Sequence, residues 1–190
     1  THDQYAYTAS STGIGTLIDA DFREGGAKRF RERLADPATK AKMVAEMKGS
    51  IAKGKRGDYT YAVVASFKAD KRINGKTIPQ AAKILRGADT LDDQIETILE
   101  IESRGGAQGV FHGMSEPDLV KFLAQPYTMV ASDSGIRRFG EAVPHPRGYG
   151  NNARVLARYV REQKVISLED AVRKMSSLPA RTFHLKNRGE

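Results

Sequence analysis

The sequence predicts a mixed α/β fold in which the C-terminal part follows the pattern of a parallel α/β sheet. Strand-like segments occur at 2–9, 59–67 and 127–132, where residues alternate or are β-branched and aromatic. The run YTMVAS at 127–132 is apolar nearly throughout, which is typical of a strand covered on both faces. Capping signals followed by apolar residues at helical spacing predict helices around and between these strands.

Helix starts are the most regular local signal. A capping residue precedes each apolar-periodic segment, in some cases with proline at the first helical position or a polar residue three positions later. The predicted N-caps are Asp36, Thr77, Thr90, Ser115 and Ser167.

The remaining segments are read from turn residues and composition. SSTGIGT at 10–16 is expected to be a loop because it contains several small hydroxyl residues and two glycines. Asn74-Gly75 is a turn signal, and AQGVFHG at 107–113 predicts a short strand. After a loop rich in Gly, Arg, His and Pro, NNARVLARYVREQ at 151–163 predicts a helix, and LEDAVRKMSSLP predicts another after Ser167.

Composition excludes several classes of protein. The 190 residues carry a net charge of +8 and 39% hydrophobic residues, which indicates a globular chain. No window approaches the ~18 consecutive apolar residues of a spanning helix. The absence of cysteine excludes disulfides, cysteine-based zinc sites and thiol catalysis. It also fits a reducing compartment, and we expect a cytoplasmic location.

The positive charge is regional. Residues 23–76 hold 15 Lys and Arg against 6 Asp and Glu. Such a surplus of positive charge is compatible with nucleic acid or acidic ligands as partners. The segment lacks aromatic residues interleaved for base stacking, so a solvated helical face is the favoured interpretation and no nucleic-acid partner is expected.

Asp133 stands at the end of the predicted buried strand at 127–132. In parallel α/β sheets, chemistry sits in the loops beyond the carboxyl ends of the strands. A carboxylate there can serve as a general base or a metal ligand. The alternative is a structural N-cap or Asx turn, which is common for Asp at strand ends.

Other polar side chains surround this position in sequence. Arg137, Arg138 and Arg147 are predicted loop arginines that could hold a carboxylate or phosphate, or simply be solvated. His145 lies between two prolines that hold it rigidly. A single histidine is more often structural than a catalytic or metal-binding residue. The tyrosines and serine near the N-terminus could line a site or form a core and a turn. They are Tyr5, Tyr7 and Ser11.

Two stretches together resemble the N-acyl-D-amino-acid deacylases (D-aminoacylases) of the metal-dependent amidohydrolase superfamily. They are DQYAYTASSTG near the N-terminus and the segment from Val110 to Gly189, which contains HPRGYG, RVLARYVRE and LEDAVRKMSSLPA. The middle segment resembles the insertion between the last two barrel strands of that family. The resemblance implies a partial (β/α)8 TIM-like barrel, comprising about the last two strands and their helices, with an α+β insertion.

The resemblance also implies a reaction. A zinc-activated water attacks the amide of an N-acyl-D-amino acid and releases a carboxylate and a D-amino acid. Asp133 matches the proton shuttle beside the metal and is also a possible metal ligand. Tyr5, Ser11 and Arg147 match positions that bind the α-carboxylate of the substrate.

The metal-binding histidines of the family are absent from this chain, and we expect them to precede Thr1 in a longer protein. We therefore expect no tightly bound zinc here, no catalysis by this chain alone, and self-association through uncovered barrel surface. The expected segments are 1–14 (penultimate strand and substrate loop), 15–106 (basic insertion) and 107–190 (last barrel unit). The alternative function is a non-catalytic binding domain whose basic surface takes anionic ligands.

Overall fold

The computed structural model describes residues 1–136, 138, 140 and 142–189. Helices and strands alternate irregularly along the described chain. In chain order they are β1 (His2–Gln4), β2 (Ser10–Gly13), a 3-10 helix (Ile14–Leu17), α1 (Ala20–Arg23), α2 (Gly26–Ala35), α3 (Pro37–Lys53), β3 (Ala62–Ser66), a 3-10 turn (Lys71–Ile73), α4 (Ile78–Arg86), α5 (Leu91–Ser103), β4 (Gln108–Phe111), α6 (Glu116–Leu123), β5 (Thr128–Val130), α7 (Arg147–Arg154), a π-helical continuation (Val155–Glu162), α8 (Leu168–Met175) and α9 (Ser177–Thr182).

The chain divides into two compact units. The first comprises Thr1–Ser10, Gly113–Phe139 and His145–Glu190, and the second comprises Ser11–His112 and Gly140–Pro144. Each unit therefore draws on more than one stretch of sequence, and each has its own hydrophobic core.

The first unit contains a parallel pair of strands. β1 and β5 are in register with Asp3 opposite Met129, although more than 120 residues of sequence separate them. α6 and α8 pack on these strands. Parallel strands require a long crossover connection, and here the second unit and α6 lie within it in sequence. The buried apolar core of this unit consists of Ala6, Leu119, Leu123, Val155, Tyr159, Ile166 and Ala171.

The second unit is α+β in character. Its three strands lie in the order β2-β4-β3, and β3 runs antiparallel to β4. The sequence prediction grouped β4 with the C-terminal segment, whereas it pairs here with the strands of the second unit. The core lies between this sheet and the helices, and its fully buried members include Phe30, Met43, Ile78 and Ile98.

The predicted helix starts are confirmed. Asp36 accepts a hydrogen bond from Thr39 N, and Pro37 occupies the first helical position. Thr77 and Thr90 form complete capping boxes. Ser115 and Ser167 accept hydrogen bonds from the backbone N–H groups three residues later. These signals act within a few residues, so the surrounding fold does not override them.

Three local expectations were wrong. Residues 10–13 form strand β2 rather than a loop, because the three-stranded sheet supplies a hydrogen-bonding neighbour. β1 ends at Gln4, so the predicted strand at 2–9 is much shorter. The helix predicted at 151–163 begins earlier, at Arg147.

The fold class is mixed α/β, and the strands of the described residues do not close into a barrel. Among the described residues, no helix combines the length and apolar character needed to cross a membrane.

Candidate functional site

Asp133 follows β5 by three residues and turns the chain away from the strand. Its φ of +47° lies in the left-handed region, which Asp tolerates better than most residues. Its side chain is 68% exposed, and Oδ2 lies 2.9 Å from Nη2 of Arg147. The carboxylate is thus open to solvent and held by a cation at the carboxyl end of a parallel strand.

Arg147 is the first residue of α7 and is buried, with 6% of its surface exposed. The prediction of a loop arginine was therefore wrong. A buried cation at a helix N-terminus meets the positive end of the helix dipole and requires compensation. Asp133 supplies a negative charge, and the ring of Tyr5 lies with its centroid 4.7 Å from Cζ of Arg147. An added carboxylate at this guanidinium would be attracted by its charge and by the positive end of the helix dipole, and repelled by Asp133.

His145 orients Arg147 through its backbone. Its Nδ1 accepts a hydrogen bond of 3.0 Å from Arg147 N. Because Nδ1 is the acceptor, the proton resides on Nε2, which donates to the carbonyl of Ala9 at 2.8 Å. The ring is 5% exposed and lies edge-on to Tyr7, with the centroids 5.2 Å apart. This histidine serves as a rigid connection between the start of α7 and the segment after β1.

Tyr5 is the residue after β1, and its ring contacts Arg147 and His145. Burial raises the pKa of its phenol, Arg147 counteracts that rise, and Asp133 adds to it. The hydroxyl is therefore protonated at neutral pH and can donate a hydrogen bond. A cation, a carboxylate and a neutral phenol together form the candidate site.

Two residues that the sequence analysis did not single out hold this site together. Asn151 lies one turn after Arg147 on α7 and is 3% exposed. Its Oδ1 accepts from Ala6 N at 2.8 Å, and its Nδ2 donates to the carbonyl of Ala131 at 3.1 Å. Arg154, two turns after Arg147, donates from Nε to the carbonyl of Ala6 at 2.6 Å. Asn151 and Arg154 follow Arg147 by one and two helical turns, so all three lie on one face of the helix. The sequence contains this spacing, but it could be recognised only once α7 was known to start at Arg147.

The remaining expected residues are Ser11, Arg138 and Arg137. Ser11 lies half-buried in β2 of the second unit. Its assignment to the substrate remains a prediction based on resemblance. Arg138 is exposed, and its carbonyl accepts a hydrogen bond from the Tyr149 hydroxyl. Arg137 lies outside the described residues.

The described residues do not suit a metal ion on their own. Within the part of the chain that the structure describes, no three side chains among His, Asp and Glu come together. Asp133 is a single carboxylate facing an arginine. A catalytic zinc typically needs three protein ligands, so this cluster does not provide a metal site.

No protein-family model matches the chain. Among curated proteins it is 43% identical over 83 residues to N-acyl-D-glutamate deacylase from Alcaligenes xylosoxydans xylosoxydans, covering 44% of this chain and 16% of that protein. It is 30% identical over 128 residues to D-aminoacylase from the same organism, covering 67% of this chain and 24% of that protein.

A solved structure gives the same relationship. A D-aminoacylase studied for the functional role of its binuclear metal centre aligns with a TM-score of 0.62 and 26% identity, over 98% of this chain and 29% of that one. The resemblance expected from the sequence is confirmed. The chain spans between about a sixth and less than a third of the length of these relatives.

Proposed function

We propose that this chain, a relative of the N-acyl-D-amino-acid deacylases, is part of a metal-dependent amidohydrolase that converts N-acyl-D-amino acids to a carboxylate and a D-amino acid. Two relatives bear the names N-acyl-D-glutamate deacylase and D-aminoacylase. The chain covers only a fraction of either protein, so the activity belongs to a longer protein that contains this segment.

The observation that supports this proposal most directly is the contact between Arg147 and Asp133. It joins the first residue of α7 to the chain just beyond β5, and Tyr5, just beyond β1, packs against the same guanidinium. Polar side chains that converge beyond the carboxyl ends of parallel strands are typical of active sites in α/β barrels. β1 and β5 are then two neighbouring strands of the barrel, and the three-stranded α+β unit is the insertion between them.

Each side chain has a role suited to its surroundings. Arg147 binds the α-carboxylate of the substrate, since a fixed, buried guanidinium holds a carboxylate in one orientation. The hydroxyl of Tyr5 donates a hydrogen bond to the same carboxylate. Asp133, which retains access to solvent, accepts a proton from the attacking water and delivers it to the leaving amine.

The metal in this proposal is zinc, and its ligands come from the rest of the protein. No described cluster of this chain holds it, and none of the roles above depends on its position. Ser11 remains a proposed substrate-binding residue.

Among the residues that the structure describes, the ion pairs of the second unit weigh against the alternative of a basic binding surface. Several cations of the second unit are already paired within it. Lys40 and Lys48 of α3 lie 2.9 and 2.5 Å from Glu96 and Asp92 of α5. Arg72 pairs with Asp70 beside it. These pairs reduce the charge available to an external anion.

The proposal is tested by expressing the complete reading frame that encodes this chain. We expect it to release D-amino acids from N-acetyl-D-glutamate, N-acetyl-D-aspartate or N-acetyl-D-leucine, and to leave the L-enantiomers intact. Dialysis against a chelator should remove the activity and zinc should restore it. The 190-residue chain alone should be inactive with or without zinc. Activity of this chain alone, or no hydrolysis of any N-acyl-D-amino acid by the full protein, contradicts the proposal.

A further inference from the structure

The side chain of Asn151 connects the ends of two strands. The ladder between β1 and β5 extends by one further hydrogen bond, from Ala131 N to the carbonyl of Gln4 at 3.3 Å. Among the described residues, no backbone–backbone hydrogen bond joins the two segments beyond it. Asn151 bridges them there, since it accepts from Ala6 N and donates to the carbonyl of Ala131.

This bridge requires a short side chain with both an acceptor and a donor. Asn fulfils both needs, and its orientation follows from its partners, an N–H on one side and a C=O on the other. Aspartate has no donor for the Ala131 carbonyl, and alanine has neither group. With 3% of the residue exposed, water has little access to replace the lost partner.

The bridged backbone positions adjoin the candidate site. Ala6 follows Tyr5 directly, and Ala131 precedes Asp133 by two residues. Asp133 also has the left-handed conformation that turns it toward Arg147. The position of the Ala131 carbonyl therefore determines where the carboxylate of Asp133 lies relative to the phenol and the guanidinium.

We propose that Asn151 is a positioning residue that sets the place of Asp133 relative to Tyr5 and Arg147. The inference rests on the proposed function, in which Asp133 transfers the proton. Asn151 does not itself touch the substrate. It acts from α7, where its side chain binds the backbone beyond β1 and the backbone beyond β5.

Other contacts hold the substrate-binding groups independently of Asn151. His145 accepts from the backbone N–H of Arg147, and Arg154 donates to the carbonyl of Ala6. Loss of the Asn151 bridge should therefore displace Asp133 more than it displaces Arg147 or Tyr5. The consequence is a fall in turnover with little change in substrate binding.

The experiment compares Asn151→Asp and Asn151→Ala with the unchanged full-length protein. Asn151→Asp keeps the acceptor for Ala6 N, loses the amide donor that serves both the Ala131 carbonyl and Oδ1 of Asn152, and adds a negative charge. Asn151→Ala removes both without adding charge. The matched control is Gln163→Glu, the same change of amide to carboxylate at an exposed residue that follows the same helical stretch.

We expect kcat to fall about 100-fold in both Asn151 variants, because displacements of about 1 Å have effects of that size. KM should stay within about threefold, and Gln163→Glu should match the unchanged protein in both constants. Unaltered kcat in the Asn151 variants, or a rise in KM without a fall in kcat, overturns the inference.

A structural measurement separates this inference from the proposed function. In a crystal structure of Asn151→Asp, we expect the distance between Arg147 Nη2 and Asp133 Oδ2 to exceed the 4 Å limit of an ion pair. An intact ion pair in the variant contradicts the positioning role whatever the activity. An inactive unchanged protein, with the ion pair broken in the variant, contradicts only the proposed reaction.

Discussion

Nη2 of Arg147 lies 2.9 Å from Oδ2 of Asp133, and the two side chains differ sharply in exposure, at 7% and 68%. The guanidinium is buried in the first unit, whereas the carboxylate is open to solvent. This difference in exposure suits two separate roles, in which the arginine orients a bound anion and the aspartate transfers protons.

Replacing Arg147 with lysine keeps the positive charge and removes the planar pair of donors. For N-acyl-D-amino acids we expect KM of the full-length protein to rise about 10- to 100-fold, because hydrogen bonds to charged groups contribute about 1.5–3 kcal/mol. Steady-state kinetics on a substrate and on its α-carboxamide analogue provide the measurement. The exposed Arg161 gives a matched control in Arg161→Lys. An equal loss on the carboxamide argues against a carboxylate-binding role.

Replacing Asp133 with asparagine removes the proton acceptor and retains the size of the side chain. We expect kcat to fall by about 10²–10⁴-fold, the range typical of general acid–base groups. Zinc content, measured by elemental analysis, should be unchanged. Glu162→Gln, at an exposed position, is the control. A variant that loses its zinc along with its activity would show that Asp133 is a ligand rather than a proton shuttle.

Lys174 of α8 is fully buried and donates from Nζ to the carbonyls of Gln125 and Thr128 beside β5. Lys174→Met leaves both carbonyls without this donor. We expect a loss of about 1–3 kcal/mol in the free energy of unfolding. Urea unfolding of this chain measures it, with the exposed Lys186→Met as control. Unchanged or greater stability would show that the desolvation of the ammonium group outweighs its hydrogen bonds.

Glu116 should make the first unit sensitive to acid. Its Oε1 accepts from Arg158 Nε and from the hydroxyl of the buried Tyr159. Burial raises the pKa of this carboxyl, but the hydrogen bonds and charge of its partners outweigh burial and hold the pKa below its usual 4.5. Between the folded and unfolded pKa values the unfolded chain binds more protons, so stability falls as pH falls through that range.

Glu116→Gln should therefore flatten the decline in melting temperature between pH 6 and pH 3, because the variant has no carboxyl to protonate at this position. The measurement is a series of thermal unfolding curves across that range. Glu32→Gln on the exposed surface of α2 serves as the comparison. If Glu116→Gln retains the full acid sensitivity, the contacts of Glu116 do not contribute to it.

Helix starts, the parallel character of the last strand and the family resemblance were all readable from the sequence. Capping by Asp36, Thr77 or Thr90 involves groups within four residues, so the local sequence determines the outcome. Asp133 was predicted as a candidate site residue because its position after an apolar strand is itself a local pattern.

The tertiary structure alone decided which distant groups meet. β2 is a strand because of its neighbours in the second unit, although its own residues resemble a loop. Arg147 became a buried helical residue because Asp133 and the ring of Tyr5 compensate a cation that its local sequence would leave in solvent. Asn151 acquired its contacts from two strand ends more than 120 residues apart. Contacts at that separation depend on how the whole unit packs, and no short sequence pattern encodes them.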